Sequence, residues 1–257
     1  MEPIRLLVSH LDGTLLRDDK TLSPNTQNTL RRCQEKGVLF FPATARPPRT
    51  LEAPFRGVPY DGAMCHNGGI ILQGGAILWE KGIAPATRDL VIQEILAKWP
   101  TVRLSAEIGG VLYANLDASQ LWPGVAYTYS TMEDLPAQPT EKLMVSVSTP
   151  QEVEALRQLL PEDLHLQVSE GVLAMIQPRG VDKGRALLGL CQTLKIPPQA
   201  AVGFGDDLND IPLLQACGWG VAVSNALPAV KAAAQEVCLS NQEDGVAHWL
   251  EEHILHP

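Results

Sequence analysis

Three carboxylates and an amide crowd into Asp206-Asp207-Leu208-Asn209-Asp210, directly after the apolar run ending at Phe204. Hard oxygen donors at that density suit Mg²⁺, which keeps several waters and takes few protein carboxylates. An acidic turn facing solvent is the plain alternative. A calcium EF-hand loop is excluded, because the sixth position from Asp206 is Ile211 and the twelfth is Cys217, where glycine and glutamate are required. Three other places carry reactive types. His10-Leu11-Asp12-Gly13-Thr14 offers an imidazole, a real nucleophile, and a carboxylate that can equally form an Asx turn. Thr44 offers a hydroxyl that reads as a helix N-cap, with backbone N–H groups able to meet an anion. Lys183 follows Asp182, which can cap a helix and so put the lysine in its first turn. A cation there opposes the helix dipole, so local stability does not explain it, and a solvated lysine is the alternative. Nucleophile, proton shuttle, anion cradle and cation are the parts of phosphoryl transfer.

In an open parallel sheet such groups gather outside the carboxyl ends of strands. Residues 4–8, apolar apart from Arg5, read as a buried parallel strand. Ser23-Pro24 opens a helix that Gly37 closes, and residues 38–43 make a second strand, giving a right-handed β-α-β unit. Residues 64–72 read as a strand broken at Asn67-Gly68-Gly69, with 76–79 returning from it. The pattern then changes to an amphipathic helix (Val91, Ile92, Ile95, Leu96, Trp99), strands at 102–104, 111–116 and 143–147, and a helix with Val153, Leu156, Leu159 and Leu160 on one face. A hairpin of residues 164–168 and 172–176 turns at Glu170-Gly171. From Asp182 strands and helices alternate again. The predicted fold class is therefore α/β, a doubly wound parallel-sheet core of residues 1–81 and 181–257, with an inserted α+β domain at 82–180.

Taken in order, these stretches resemble the four motifs of the haloacid dehalogenase superfamily. The first is similar to D-x-D-G-T-L-L, with His10 where the family carries its leading aspartate; Pro42-Ala43-Thr44-Ala45-Arg46 is similar to T-G-R, with Ala45 for glycine; Lys183 and the Gly203–Asp210 loop supply the third and fourth. The segments Val221-Ala222-Val223-Ser224-Asn225-Ala226 and Glu243-Asp244-Gly245-Val246-Ala247 resemble the Cof-type branch, so the likeness spans essentially the whole chain. It implies a Mg²⁺-dependent phosphatase of a small phosphorylated metabolite, with sugar phosphates, nucleotides and vitamin phosphates all open. It also implies that His10 stands at the nucleophile position. Asp12 is then the general acid, with its backbone carbonyl on the metal. Thr44, Lys183 and Asn209 hold phosphate, and Asp206 and Asp210 serve the metal. The inserted domain is implied to be a cap that sets substrate choice, with Glu107, Tyr113, Asn115 and the Trp122 region as candidate contacts.

Histidine at position 10 removes one negative charge and suits Zn²⁺, Cu²⁺ or Ni²⁺ better than Mg²⁺. Three accounts of it are open: a family member that has lost hydrolysis but still binds phosphate, catalysis through a phosphohistidine, or a single-base change from an aspartate codon in an otherwise active phosphatase. The runner-up class is a non-catalytic binder of phosphorylated ligands. A net charge of −9 argues against nucleic acid as main partner. A dinucleotide-dependent oxidoreductase is disfavoured because no G-x-G-x-x-G follows the first strand. Five scattered cysteines without C-x-x-C spacing, and the lack of a leader or a membrane-length apolar run, predict a reduced cytoplasmic protein.

Overall fold

The computed structural model describes residues 3–169 and 171–256, and the chain divides into two compact units, Met1–Glu80 with Val181–Pro257, and Lys81–Gly180. The discontinuous core unit begins with β1 (Leu6–Ser9), α1 (Pro24–Glu35), β2 (Leu39–Pro42), β3 (Gly62–Cys65), β4 (Ile70–Gln73) and β5 (Ala76–Glu80). The inserted unit contributes α2 (Pro85–Lys98), β6 (Leu104–Ile108), β7 (Val111–Ala114), β8 (Thr128–Tyr129), β9 (Thr140–Ser146), α3 (Pro150–Arg157), β10 (Leu164–Ser169) and β11 (Leu173–Pro178). The core unit resumes with α4 (Lys183–Leu194), β12 (Ala201–Gly205), α5 (Ile211–Ala216), β13 (Trp219–Val223), α6 (Pro228–Ala233), β14 (Glu236–Cys238) and α7 (Gly245–Leu250).

Period-two alternation within continuously apolar strands builds the core sheet. Its order is β14-β13-β12-β1-β2, with every neighbouring pair parallel. Leu7, Phe40 and Val202 pack with Leu30 and Cys33 of α1 and Trp249 and Leu250 of α7. Leu6, Val8, Phe41 and Ala201 pack with Leu187 and Leu190 of α4 and Leu213 of α5. Helices thus cover both faces, as all-parallel sheets demand. From β1 the chain first steps outward to β2 and later builds outward from β12 on the other side. The carboxyl ends of β1 and β12 therefore meet at the topological switch point, where such sheets leave a crevice. Strands β3, β4 and β5 form a separate antiparallel sheet.

The inserted unit is a six-stranded sheet ordered β10-β11-β9-β6-β7-β8, antiparallel except for β7 with β8. Val91, Ile92 and Ile95 of α2 and Leu156 of α3 share one core with Leu104, Ala106, Ile108, Leu143, Val145 and Ile176. Two local expectations shift. The strand expected at 102–104 runs instead from Leu104 to Ile108, because Leu104, Ala106 and Ile108 alternate into that core, whereas Val102 has its carbonyl bonded by the Asn115 side chain at 3.0 Å. Helix α3 ends at Arg157, ahead of Pro161, so Leu159 and Leu160 pack against the core without being helical. The turn residue Glu170 of the expected hairpin lies outside the described residues; Gly171 takes φ +72° beside it.

Candidate functional site

The peptide N–H of His10 donates to the Phe204 carbonyl at 2.9 Å, extending the β1–β12 ladder by one bond and fixing the imidazole at the switch point. The residue is 7% exposed. Its Nδ1 lies 2.7 Å from Lys183 Nζ and 3.1 Å from the Ala43 carbonyl oxygen at the end of β2. An ammonium only donates and a carbonyl only accepts, so Nδ1 satisfies one of them at a time. When it accepts from Lys183, the ring proton sits on Nε2; when it donates to Ala43, the Nε2 lone pair is free. Nε2 is 3.8 Å from Asp206 Oδ1, beyond hydrogen-bond range.

Lys183 opens α4, whose N-cap Asp182 accepts the Arg185 N–H at 2.8 Å. The lysine is completely buried, which excludes the solvated reading, and its ammonium is paired with Asp210 Oδ1. Asp210, also completely buried, accepts the N–H groups of Asp206 and Asp207 on Oδ2, each at 3.0 Å. Burial pushes the Asp210 carboxyl up, but His10 and Lys183 outweigh it and hold the group below its ordinary value. Both its oxygens are thereby committed to shaping the loop. Asp206 differs. Burial pushes its carboxyl up and Asp210 adds to that, leaving it raised although His10, the Thr14 hydroxyl bond and Lys183 oppose the change.

Asp12 stands apart from this cluster. Arg46 grips it from two nitrogens, Nε to Oδ2 at 2.7 Å and Nη2 to Oδ1 at 2.5 Å, and Lys20 Nζ approaches Oδ1 at 3.0 Å. Burial pushes this carboxyl up too, but the Arg46 and Lys20 contacts prevail and keep it below the usual range. Thr44 is fully buried; its N–H donates to the Met64 carbonyl at 2.8 Å, and its hydroxyl accepts the Arg46 N–H at 3.0 Å. The expected helix N-terminus at Thr44 is not there. Pro47 and Pro48 disfavour helical backbone at the residues before them, and only a 3-10 turn, Pro48–Thr50, follows, so any anion cradle at Thr44 is a turn of the backbone. Asn209 spends its amide NH₂ on Asn67 Oδ1 at 3.0 Å, and its own carbonyl oxygen is a buried acceptor lacking a partner among the described residues.

Sequence reasoning therefore named the four loops that meet here, but not the contacts that organise them. Arg46 and Thr14 lay inside quoted motifs and Asn67 at the expected strand break, all without assigned partners, and Lys20 carried no signal, since each matters only through a contact made in the folded chain. Of the suggested contacts in the inserted unit, Asn115 is explained by the fold: its carboxamide accepts the Leu104 N–H at 2.8 Å and ties β6 to the start of its own loop.

His10, Asp206 and Asp210 each present a donor atom within 4.8 Å of the others, a grouping compact enough for one cation. Asp210 accepts two backbone N–H groups and the Lys183 ammonium, whereas Asp206 accepts the Thr14 hydroxyl on Oδ1, so Asp206 and His10 are the less committed side-chain donors. The set fits a divalent ion, but as a nitrogen-and-oxygen site, not the all-oxygen shell magnesium favours.

The profile of the haloacid dehalogenase-like hydrolases matches residues 7–250. The chain belongs to this family. A relative from Bacillus subtilis (strain 168), a 5-amino-6-(5-phospho-D-ribitylamino)uracil phosphatase, is 28% identical over 97% of this chain and 97% of its own. An HMP-PP phosphatase from Cronobacter sakazakii is also 28% identical, over 98% and 97%. Among solved structures, SMU.1108c from Streptococcus mutans UA159 superposes with a TM-score of 0.88 at 24% identity, covering 98% of this chain and 99% of the other. A haloalkanoate-superfamily phosphatase from Bacteroides thetaiotaomicron gives 0.86 at 22%, covering 98% and 95%. These two likenesses establish the shared fold, a parallel-sheet core with an inserted second unit, and the sequence places this hydrolase in the Cof-like branch. No helix among the described residues is long and apolar enough to cross a membrane.

Proposed function

We propose that this hydrolase is built as a phosphatase of a small phosphorylated metabolite, with its chemistry at the carboxyl ends of β1 and β12 and its turnover suppressed by His10. The carrying observation is the meeting of His10, Lys183, Asp206 and Asp210 at the switch point in a chain whose relatives include phosphatases of small phosphorylated metabolites.

In this reading Lys183 neutralises a phosphoryl oxygen from a fully buried position, where its charge is little screened. Thr44, Asn209 and the Lys183 ammonium form the anion cradle, and Asn209 would have to release Asn67 to donate its NH₂. Asp12 serves the leaving oxygen. Arg46 and Lys20 hold it ionised here, so it can donate a proton to the leaving oxygen only once that clamp loosens and it has taken one up; the carboxylate left behind then serves as base toward water. Mg²⁺ would be held by Asp206 and the Asp12 carbonyl, supported by Asp210, and would supply charge neutralisation at the equatorial oxygens.

His10 is available as a nucleophile in only one of its two tautomers. With Nδ1 accepting from Lys183, Nε2 carries the proton and no electron pair is free for phosphorus; with Nδ1 donating to Ala43, the Nε2 pair is free. The phosphohistidine account therefore requires the Ala43-bonded tautomer. The test compares the protein as it stands with His10→Asp on a generic aryl phosphate in the presence of Mg²⁺. The aspartate form should gain at least about 100-fold in kcat/KM, equivalent to about 2.7 kcal/mol of transition-state stabilisation. No gain in a variant that keeps its fold by circular dichroism overturns the proposal, and calorimetric binding of phosphate ester without turnover in either form would establish a non-catalytic binder instead.

A further inference from the structure

We infer that His10 has changed the metal preference of the site, making it a two-armed imidazole–carboxylate site for a borderline cation such as Zn²⁺ or Co²⁺, with His10 Nε2 and Asp206 as the protein donors. The inference rests on the proposed function only for the location of the cation.

Two independent features carry it. The first is the donor grouping: His10 Nε2 lies 3.8 Å from Asp206 Oδ1, so an ion seated just off the line between them is within the ~2.0–2.1 Å that zinc makes to nitrogen or carboxylate oxygen without either side chain moving. The second is the other face of the ring. A metal-bound histidine donates its remaining N–H to a carbonyl or carboxylate, which fixes both tautomer and orientation. Here Nδ1 already faces the Ala43 carbonyl at 3.1 Å. Taking a cation at Nε2 selects that tautomer. Lys183 then gives up Nδ1 and keeps its bond to Asp210, so no group is left without a partner.

Charge tells the same story. Asp206 and Asp210 contribute two negative charges and Lys183 returns one, leaving the pocket with one fewer negative charge than an aspartate at position 10 would give. Mg²⁺, which binds chiefly through charge and oxygen, loses more by that exchange than Zn²⁺ or Co²⁺, which gain an imidazole.

The experiment uses chelator-stripped protein and direct binding. Zn²⁺ and Mg²⁺ are titrated calorimetrically into the native chain and His10→Asp, and Co²⁺ is followed by its visible absorption in the native chain, His10→Ala and Asp206→Asn. The Zn²⁺-over-Mg²⁺ affinity ratio should fall at least about 10-fold in His10→Asp, and the Co²⁺ bands should be lost or shifted in both other variants. An unchanged ratio, or Co²⁺ bands indifferent to His10→Ala, overturns the inference. Failure of the proposed function is read separately, from turnover of His10→Asp with Mg²⁺, which a null result in these titrations leaves untouched.

Discussion

Gly13 has little freedom to be anything but glycine. Its φ is +79°, and a Cβ built on it would lie 2.6 Å from Asp206 Oδ2. Either fact alone disfavours a side chain; together they make the loop after β1 a template for the Asp206 carboxylate, which Thr14 holds from the next position. Gly13→Ala is accordingly expected to lower stability by about 1–3 kcal/mol in urea melts. It should also weaken cation binding, because the clash falls on a carboxylate donor; a variant with native stability and native binding would contradict the template role. The neighbouring imidazole shows how narrowly chemistry is poised here. The same His10 ring is disarmed by a lysine on one tautomer and freed toward a cation on the other, with the two rival partners of Nδ1 at 2.7 and 3.1 Å.

Among the secondary-structure elements, α4 does the most for the site. It buries Ala186, Leu187 and Leu190 against the sheet, and in doing so drives Lys183, in its first turn, into the pocket. The cost of a cation at a helix N-terminus is offset by Asp210 and by the Asp182 cap. Asp182→Ala should therefore cost about 1 kcal/mol of stability and loosen Lys183, seen as faster amide exchange over the first turn of α4 than over its buried middle. Uniform exchange along the helix would show that the cap does not anchor the lysine. Strands β1 and β12 act differently: their residues are buried on both faces, so the chain has no choice about where His10 and Asp206 emerge.

Across the molecule, each unit has its own core, and all five cysteines belong to the core unit. Burial pushes the Cys33 and Cys191 thiols up to about 11, and Cys238 to about 12. The ordinary thiol value is 9.0, so these groups favour the folded state fully below that pH. Their contribution is lost as pH rises through the folded values, because the unfolded chain ionises first. Stability should fall above pH 9, by up to about 1.4 kcal/mol per pH unit for each such thiol. At pH 8 the folded protein should resist iodoacetamide while the unfolded chain labels. Because the inserted unit has no thiol, labelling reports the opening of the core unit alone, and rapid native-state labelling of Cys33 or Cys191 would refute the burial argument.

The elements and the four reactive loops were readable from the residue string because they rest on local rules: apolar runs for strands, Ser23-Pro24 and Asp182 for helix starts, and chemistry-bearing types at strand ends. The short strand β8 and the true start of β6 were not, since pairing with distant strands defines them. Nor could the string show that Asp12 is clamped by Arg46 and Lys20, that Asp210 spends both its oxygens on the loop and Lys183, or that Nδ1 of His10 has two rival partners. Those relations span from a few to nearly two hundred residues of chain. They arise when a parallel sheet brings its strand ends together and excludes water, so that distance and solvation, which residue types do not encode, settle what each group can do.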